Sequence, residues 1–159
     1  MNDLKKGHDF LNKMGRISIT KPDKGDFEDI FPLLKQLWEN KPLNGKKLKE
    51  VFLRGLESVN QEYFIVKLNG GIIGFASLTI KNNLWQEGNL AHIDELIVDQ
   101  QFRKRGVGTK LLEQIIATAK ERECKRIELD SAFHRKEAHA FYKIKGFENR
   151  AFLFSKKIV

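Results

Sequence analysis

The sequence holds a single cysteine, Cys124, so it can close no disulfide of its own and build no thiolate metal cluster. Cys124 falls in the charged run Lys120-Glu121-Arg122-Glu123-Cys124-Lys125, at the expected end of a helix, and reads as incidental. Long apolar runs are missing as well. No stretch approaches the roughly 20 residues that cross a bilayer, and residues 1–16 lack the apolar segment of a signal peptide. These absences point to a protein kept in the cytosol, a reducing compartment. Repeats and low-complexity tracts are also absent, which excludes solenoid and fibrous architectures.

What is present is a globular balance: 41% hydrophobic and 31% charged residues in 159, enough for one domain and too short for two ordinary ones. Residues 1–15, rich in Lys, Asn and Gly, show no periodicity and read as a flexible leader, with Met14 a candidate alternative start; residues 16–159 read as one domain. A net charge of +8 favours an anionic partner, which a nucleic acid and a polyphosphate cofactor satisfy equally. The basic residues are spread along the chain except at Arg103-Lys104-Arg105. No basic strand interleaved with aromatics and no helix-turn-helix pattern appears, which argues against nucleic acid.

The periodicities change along the chain. Residues 16–21 alternate as a strand and stop at Pro22; a helix with Asp26 as N-cap follows, its apolar stripe running from Phe27 to Trp38, with Pro32 tolerated as a first-turn residue. A second helix is expected over 46–56. Strands over 62–66 and 72–78 flank the turn Asn69-Gly70-Gly71 as a hairpin, and a polar loop over 81–88 precedes a strand over 90–98. A helix over 108–123, a strand over 126–130, a helix over 136–144 and a last strand over 152–158 complete the order. That order predicts an α/β fold, a mixed sheet with helices on both faces.

The strongest local signal is Arg103-Lys104-Arg105-Gly106-Val107-Gly108-Thr109, placed between a strand and a helix. The first amides of a helix lack internal partners and carry partial positive charge, so they bind phosphate oxygens; glycines let the ligand approach the backbone. The loop has neither the third glycine of a dinucleotide fingerprint nor the Gly-Lys-Ser/Thr of a nucleoside-triphosphate loop.

With the preceding Ile93-Asp94-Glu95-Leu96-Ile97-Val98-Asp99, this turn resembles the acetyl-CoA motif of the GNAT superfamily of N-acetyltransferases, Arg/Gln-x-x-Gly-x-Gly/Ala. Downstream, Ala138-His139-Ala140-Phe141-Tyr142-Lys143-Ile144-Lys145-Gly146-Phe147 resembles the second signature, Ala-x-x-Phe-Tyr-x-x-x-Gly-Phe. The resemblance implies the GNAT acyl-CoA N-acyltransferase fold, with a mostly antiparallel central sheet, and direct transfer of an acetyl group from acetyl-CoA to a primary amine in a ternary complex. It implies that the pyrophosphate sits on the amides of Arg105, Gly106, Val107, Gly108 and Thr109, with Arg103 and Lys104 also binding the cofactor, and that the pantetheine arm runs along Leu96, Ile97 and Val98 like an added strand. Many members carry Asn seven residues before the signature tyrosine. This chain has Arg135, which is expected to reach a phosphate instead. Members often pair through the sheet or its helices, so the resemblance leaves room for a homodimer.

An amine with a pKa near 10.4 is almost wholly protonated at neutral pH and needs a base. Strict alternation puts His92, Asp94, Leu96 and Val98 on one face of their strand and Ile93, Glu95 and Ile97 on the other. His92 and Asp94 are therefore candidate bases together, and Glu95 replaces them if a bulge shifts the alternation. The leaving thiolate, of parent pKa near 8.5, needs an acid, and Tyr142 resembles the family's donor; the only other tyrosine is Tyr63. His134 and His139 have no partners at metal spacing, and no metal is expected. A GNAT fold that binds acyl-CoA without turnover is the alternative, disfavoured by the intact Tyr142 and Asp94. The acceptor stays open among polyamines, aminoglycosides, amino acids and peptide amines.

Overall fold

The computed structural model describes residues 15–158, so the expected leader lies, apart from Gly15, outside the described residues. Strand β1 (Ile17–Thr20) leads into helix α1 (Phe27–Leu37) and helix α2 (Gly45–Leu56). Strands β2 (Gln61–Leu68), β3 (Gly71–Asn83) and β4 (Gly88–Val98) follow, then a short 3₁₀ turn over Gln100–Phe102. Helix α3 (Val107–Glu121), strand β5 (Cys124–Leu129) and helix α4 (Lys136–Ile144) complete the order.

The sheet runs β1-β2-β3-β4-β5, antiparallel throughout except for the parallel pair β4–β5. Its two faces bury separate apolar clusters. On one, Phe27, Ile30, Leu33, Leu34 and Leu37 of α1 and Phe52 of α2 pack on Tyr63, Ile65, Phe75 and Ile97. On the other, Val107, Leu111, Leu112, Ile115 and Ala119 of α3 pack on Phe64, Val66, Leu78, Ile93 and Val98.

Four sequence expectations need correction. Pro32 is the sixth residue of α1, in its second turn, and the helix continues through the missing amide because its apolar face is anchored on both sides of it. Asp26 does not cap α1 with its side chain; the carboxylate instead accepts the Asp23 amide at 2.9 Å and the Lys67 ammonium at 3.1 Å. The polar stretch 81–88 is mostly strand, since Lys81, Asn82 and Asn83 pair with Leu90, Asn89 and Gly88, which leaves only 84–87 as a turn. Residues 152–158 form no strand, and Phe152, Leu153, Phe154 and Ile158 are exposed.

Candidate active site

The site is organised by one irregularity in the β3–β4 ladder. Ser77 lies opposite Glu95 and Leu78 opposite Ile93, so Asp94 is an extra residue with no counterpart, a β-bulge. Beyond it the alternation is reset. Cross-strand partners share a face, so His92 and Glu95 lie with Thr79 and Ser77 on the side of α1 and α2, while Ile93, Leu96 and Val98 face α3. Strict alternation, which sets Glu95 apart from His92, is thus corrected: the structure brings Glu95, Asp94 and His92 together.

Their contacts form a polar array. The Ser77 hydroxyl, fully buried, donates to Glu95, and the Thr79 hydroxyl donates to Asp94. His92 Nδ1 lies 2.9 Å from Asp94 Oδ1, and Nε2 lies 3.2 Å from Asp130 Oδ1 just past β5. Burial pushes the Glu95 carboxyl above its ordinary range, the bond from Ser77 opposes this, and the nearby Asp94 charge adds to it. The hydrogen bond to Asp94 raises His92, against its own desolvation, and the charges of Asp94 and Asp130 raise it further. In the same cross-strand row, burial pushes Tyr63 up to about 12, with Glu95 and Asp94 adding to it. At neutral pH Tyr63 is therefore a neutral phenol.

The second half of the site lies at the end of β4. Pairing between β4 and β5 ends at Ile93↔Leu129, so the β5-side edge of Asp94 to Val98 has no strand partner among the described residues. That opening has the length and backbone character of a slot for an extended amide-bearing chain. The 3₁₀ turn after Val98 is fixed to α1: Gln36 donates to Asp99 at 3.0 Å and accepts the Gln100 amide at 3.0 Å. Gly106 then takes a left-handed conformation (φ 83°), which a residue with Cβ adopts at a cost, and this turns the chain into α3. No side chain caps α3, so its first amides remain available to a ligand. A Cβ on Gly108 would stand 3.7 Å from Val98 and 3.8 Å from Phe141, so the end of β4, the start of α3 and helix α4 converge at this glycine.

The three turn cations are placed differently. Arg103 Nε donates to the Val98 carbonyl at 2.9 Å and braces the turn, Lys104 lies 3.2 Å from Glu137 of α4, and the Arg105 guanidinium stands 5.8 Å over the Phe102 ring. Tyr142 sits next to Phe141 on α4, between Phe141 and Phe147, and burial raises its pKa while the Arg135 charge opposes the rise. Arg135 donates to the Leu37 carbonyl, which ties the start of α4 to the end of α1. No group of three or more His, Cys, Asp or Glu among the described residues is arranged to hold a metal.

A bulged strand carrying carboxylates, an unpaired strand edge and an uncapped helix behind a glycine turn fit a CoA thioester beside an amine. The sequence pattern of the Acetyltransferase (GNAT) family matches residues 27–147, from the start of α1 to the end of the second signature. The chain belongs to the GNAT acetyltransferase family. As a GNAT enzyme it uses acetyl-CoA as donor and an amine as acceptor.

Similar proteins agree. The chain is 29% identical over 136 residues to an N-acetyltransferase of Methanocaldococcus jannaschii; the match covers 84% of this chain but 60% of that protein, so the chain spans less than two thirds of that relative's length. It is 26% identical over 133 residues to the aminoalkylphosphonate N-acetyltransferase of Salmonella typhimurium, covering 84% of this chain and 86% of that one. A solved aminoglycoside N-acetyltransferase in complex with CoA shares the fold, with a TM-score of 0.80 at 22% identity over 91% of this GNAT chain and 96% of that one.

Sequence reasoning did not single out Ser77, Thr79, Asp130 or the placement of Tyr63. A signal for the first two exists: in Phe75-Ala76-Ser77-Leu78-Thr79 two hydroxyls recur at the strand period inside an apolar run, which marks a buried face with something polar to satisfy. Nothing local identifies Asp130, because its partner His92 is 38 positions away.

Proposed function

We propose that this enzyme acetylates a primary amine on a small molecule that carries further cationic groups, with Glu95 as base and Tyr142 as acid. The reading rests on the bulge at Asp94, which collects Asp94 and Glu95 around His92, whose other ring nitrogen meets Asp130, on the α1 and α2 side of the sheet. Within a chain of net charge +8, this patch is anionic. The Lys81 charge, which acts on His92, is itself 3.4 Å from Glu128. Such a surface attracts an ammonium and repels a phosphonate or phosphate.

The acetyl-CoA diphosphate rests on the amides opening α3, and the pantetheine arm lies along Leu96 to Val98. A carboxylate with an elevated pKa accepts a proton more readily than an ordinary one, so Glu95 takes the ammonium proton, directly or through one water. The neutral amine attacks the thioester carbonyl, the C–S bond breaks, Tyr142 gives its proton to the departing thiolate, and the remaining extra proton on the nitrogen passes to the Tyr142 phenolate as the amide forms. Products are the N-acetyl amine and CoA. Acetyl-CoA supply is consistent with work in the cytosol, and neither nucleic acid nor membrane has a role in this chemistry.

A thiol-release assay with a panel of amines tests the acceptor class. Diamines, triamines and aminoglycosides are expected to give kcat/KM values at least about tenfold above those of aminoalkylphosphonates and amino-sugar phosphates. The opposite ranking contradicts the assignment.

A further inference from the structure

Helix α4 carries Tyr142 but is lightly held. None of its residues is fully buried, and the ion pair of Glu137 with Lys104 is exposed at both ends and contributes little. Its apolar anchors are Phe141, packed against the α3-side cluster, and Phe147 just past its end. Where the helix starts is fixed by a polar tie.

Arg135 supplies that tie. It stands at the N-cap of α4, where its backbone carbonyl accepts the His139 amide at 3.0 Å, and its guanidinium donates away from the helix to the carbonyl of Leu37. Leu37 is the last residue of α1, and the carbonyls of a final turn have no helical amide to accept. A cation there also faces the negative end of the helix dipole. The neighbouring Gln36 holds Asp99 and the Gln100 amide, both at 3.0 Å. One end of α1 thus fastens both the turn that leads to the cofactor amides and the helix that bears Tyr142. Tyr142 follows Arg135 by seven residues, about two helical turns. Burial raises its pKa and the Arg135 charge opposes that rise, so the guanidinium lies within electrostatic reach of the phenol.

We propose that Arg135 is a positioning residue for Tyr142: its bond to the Leu37 carbonyl sets α4 against α1 and thereby sets the phenol against the thioester sulfur. The proposal rests on Tyr142 as the acid. Because the guanidinium serves helix α1 rather than a cofactor phosphate, the effect of Arg135 falls on turnover and not on CoA binding. Helix α1 also packs on the sheet face that holds Glu95, so base and acid are aligned by one element.

A double-mutant cycle of Arg135→Gln and Tyr142→Phe tests this, read as thiol release from acetyl-CoA with a saturating amine, at a temperature where circular dichroism shows every variant folded. Arg135→Gln alone is expected to lower kcat about tenfold or more, with the KM for acetyl-CoA and the calorimetric CoA affinity within about twofold of the parent. Arg135→Lys, which keeps the charge and can donate to a single carbonyl, is expected to recover most of that loss. In the Tyr142→Phe background, Arg135→Gln is expected to cost less than about twofold more, because its effect passes through the phenol. Losses that multiply independently overturn the positioning role and leave Tyr142 as the acid. Weaker CoA binding with kcat unchanged overturns it in favour of a phosphate contact, and Arg135→Lys no better than Arg135→Gln overturns the tie to Leu37. Parent-level turnover in Tyr142→Phe removes the acid itself and the proposal with it.

Discussion

Ser77 donates its buried hydroxyl to the carboxylate of Glu95 across the β3–β4 ladder, at the point where the bulge resets the strand. This bond favours the charged carboxylate and holds back the rise that burial causes. Replacing Ser77 with Ala therefore raises the Glu95 pKa further. The acidic limb of the kcat/KM profile is expected to move to higher pH, and activity below the limb to fall while activity on the alkaline plateau changes less. A profile with an unmoved limb shows that Glu95 does not titrate in the rate.

His92 makes stability depend on pH in a defined direction. Its folded pKa is raised above the unfolded value of about 6.5, first by the hydrogen bond to Asp94. The contribution is fully present below the unfolded pKa and is lost as pH rises through the folded one. Thermal melts of His92→Gln should accordingly differ from the parent most near pH 5.5 and least near pH 9. An equal loss at both pH values contradicts the pairing with Asp94 and Asp130.

The two glycines of the cofactor turn should separate fold from ligand. Gly108→Ala places a methyl at ordinary contact distance from Val98 and Phe141, so melting is expected to change little, while CoA affinity measured by calorimetry falls at least about tenfold because the methyl takes up ligand space. Gly106→Ala forces a left-handed conformation on a residue with Cβ and should cost about 1–2 kcal/mol in stability as well. Unchanged CoA affinity in Gly108→Ala argues that the diphosphate binds elsewhere.

What the sequence disclosed followed the range of the physics involved. The strand, glycine turn and helix of residues 93–121 rest on local rules of capping and periodicity, and the second signature is contiguous, so both were legible. The faces of β4 were not, because a bulge is a mismatch between two strands and one strand carries no mark of it; only a conditional role for Glu95 could be written. Lys81 to Asn83 read as loop because they are polar, yet pairing with residues 88–90 keeps them extended. In the tail, apolar alternation suggested a strand, but a strand needs an edge to pair with, and alternation alone does not supply one.

The packing of α2 on β2 gives a stability test. A Cβ at Gly55 of α2 would stand 1.9 Å from the Tyr63 hydroxyl and 2.5 Å from the ring carbon that bears it. Tyr63 is held between Phe52 and Phe75, at ring distances of 5.1 and 5.7 Å, and has little freedom to move away. Gly55→Ala is expected to lose about 1–3 kcal/mol in chemical denaturation. Gly70→Ser, at the open β2–β3 turn, is the comparison: its Cβ meets nothing within 4 Å, and the cost there is confined to its φ of 88°.

The role of Glu95 is tested most directly by the pH dependence of acetyl transfer in Glu95→Gln, measured as thiol release with a saturating diamine. The carboxamide keeps the size of the side chain and removes its basicity. Turnover near pH 7 is expected to drop by about a hundredfold or more, the acidic limb to disappear, and CoA affinity to stay as in the parent. Parent-level turnover with the limb intact would contradict Glu95 as the base.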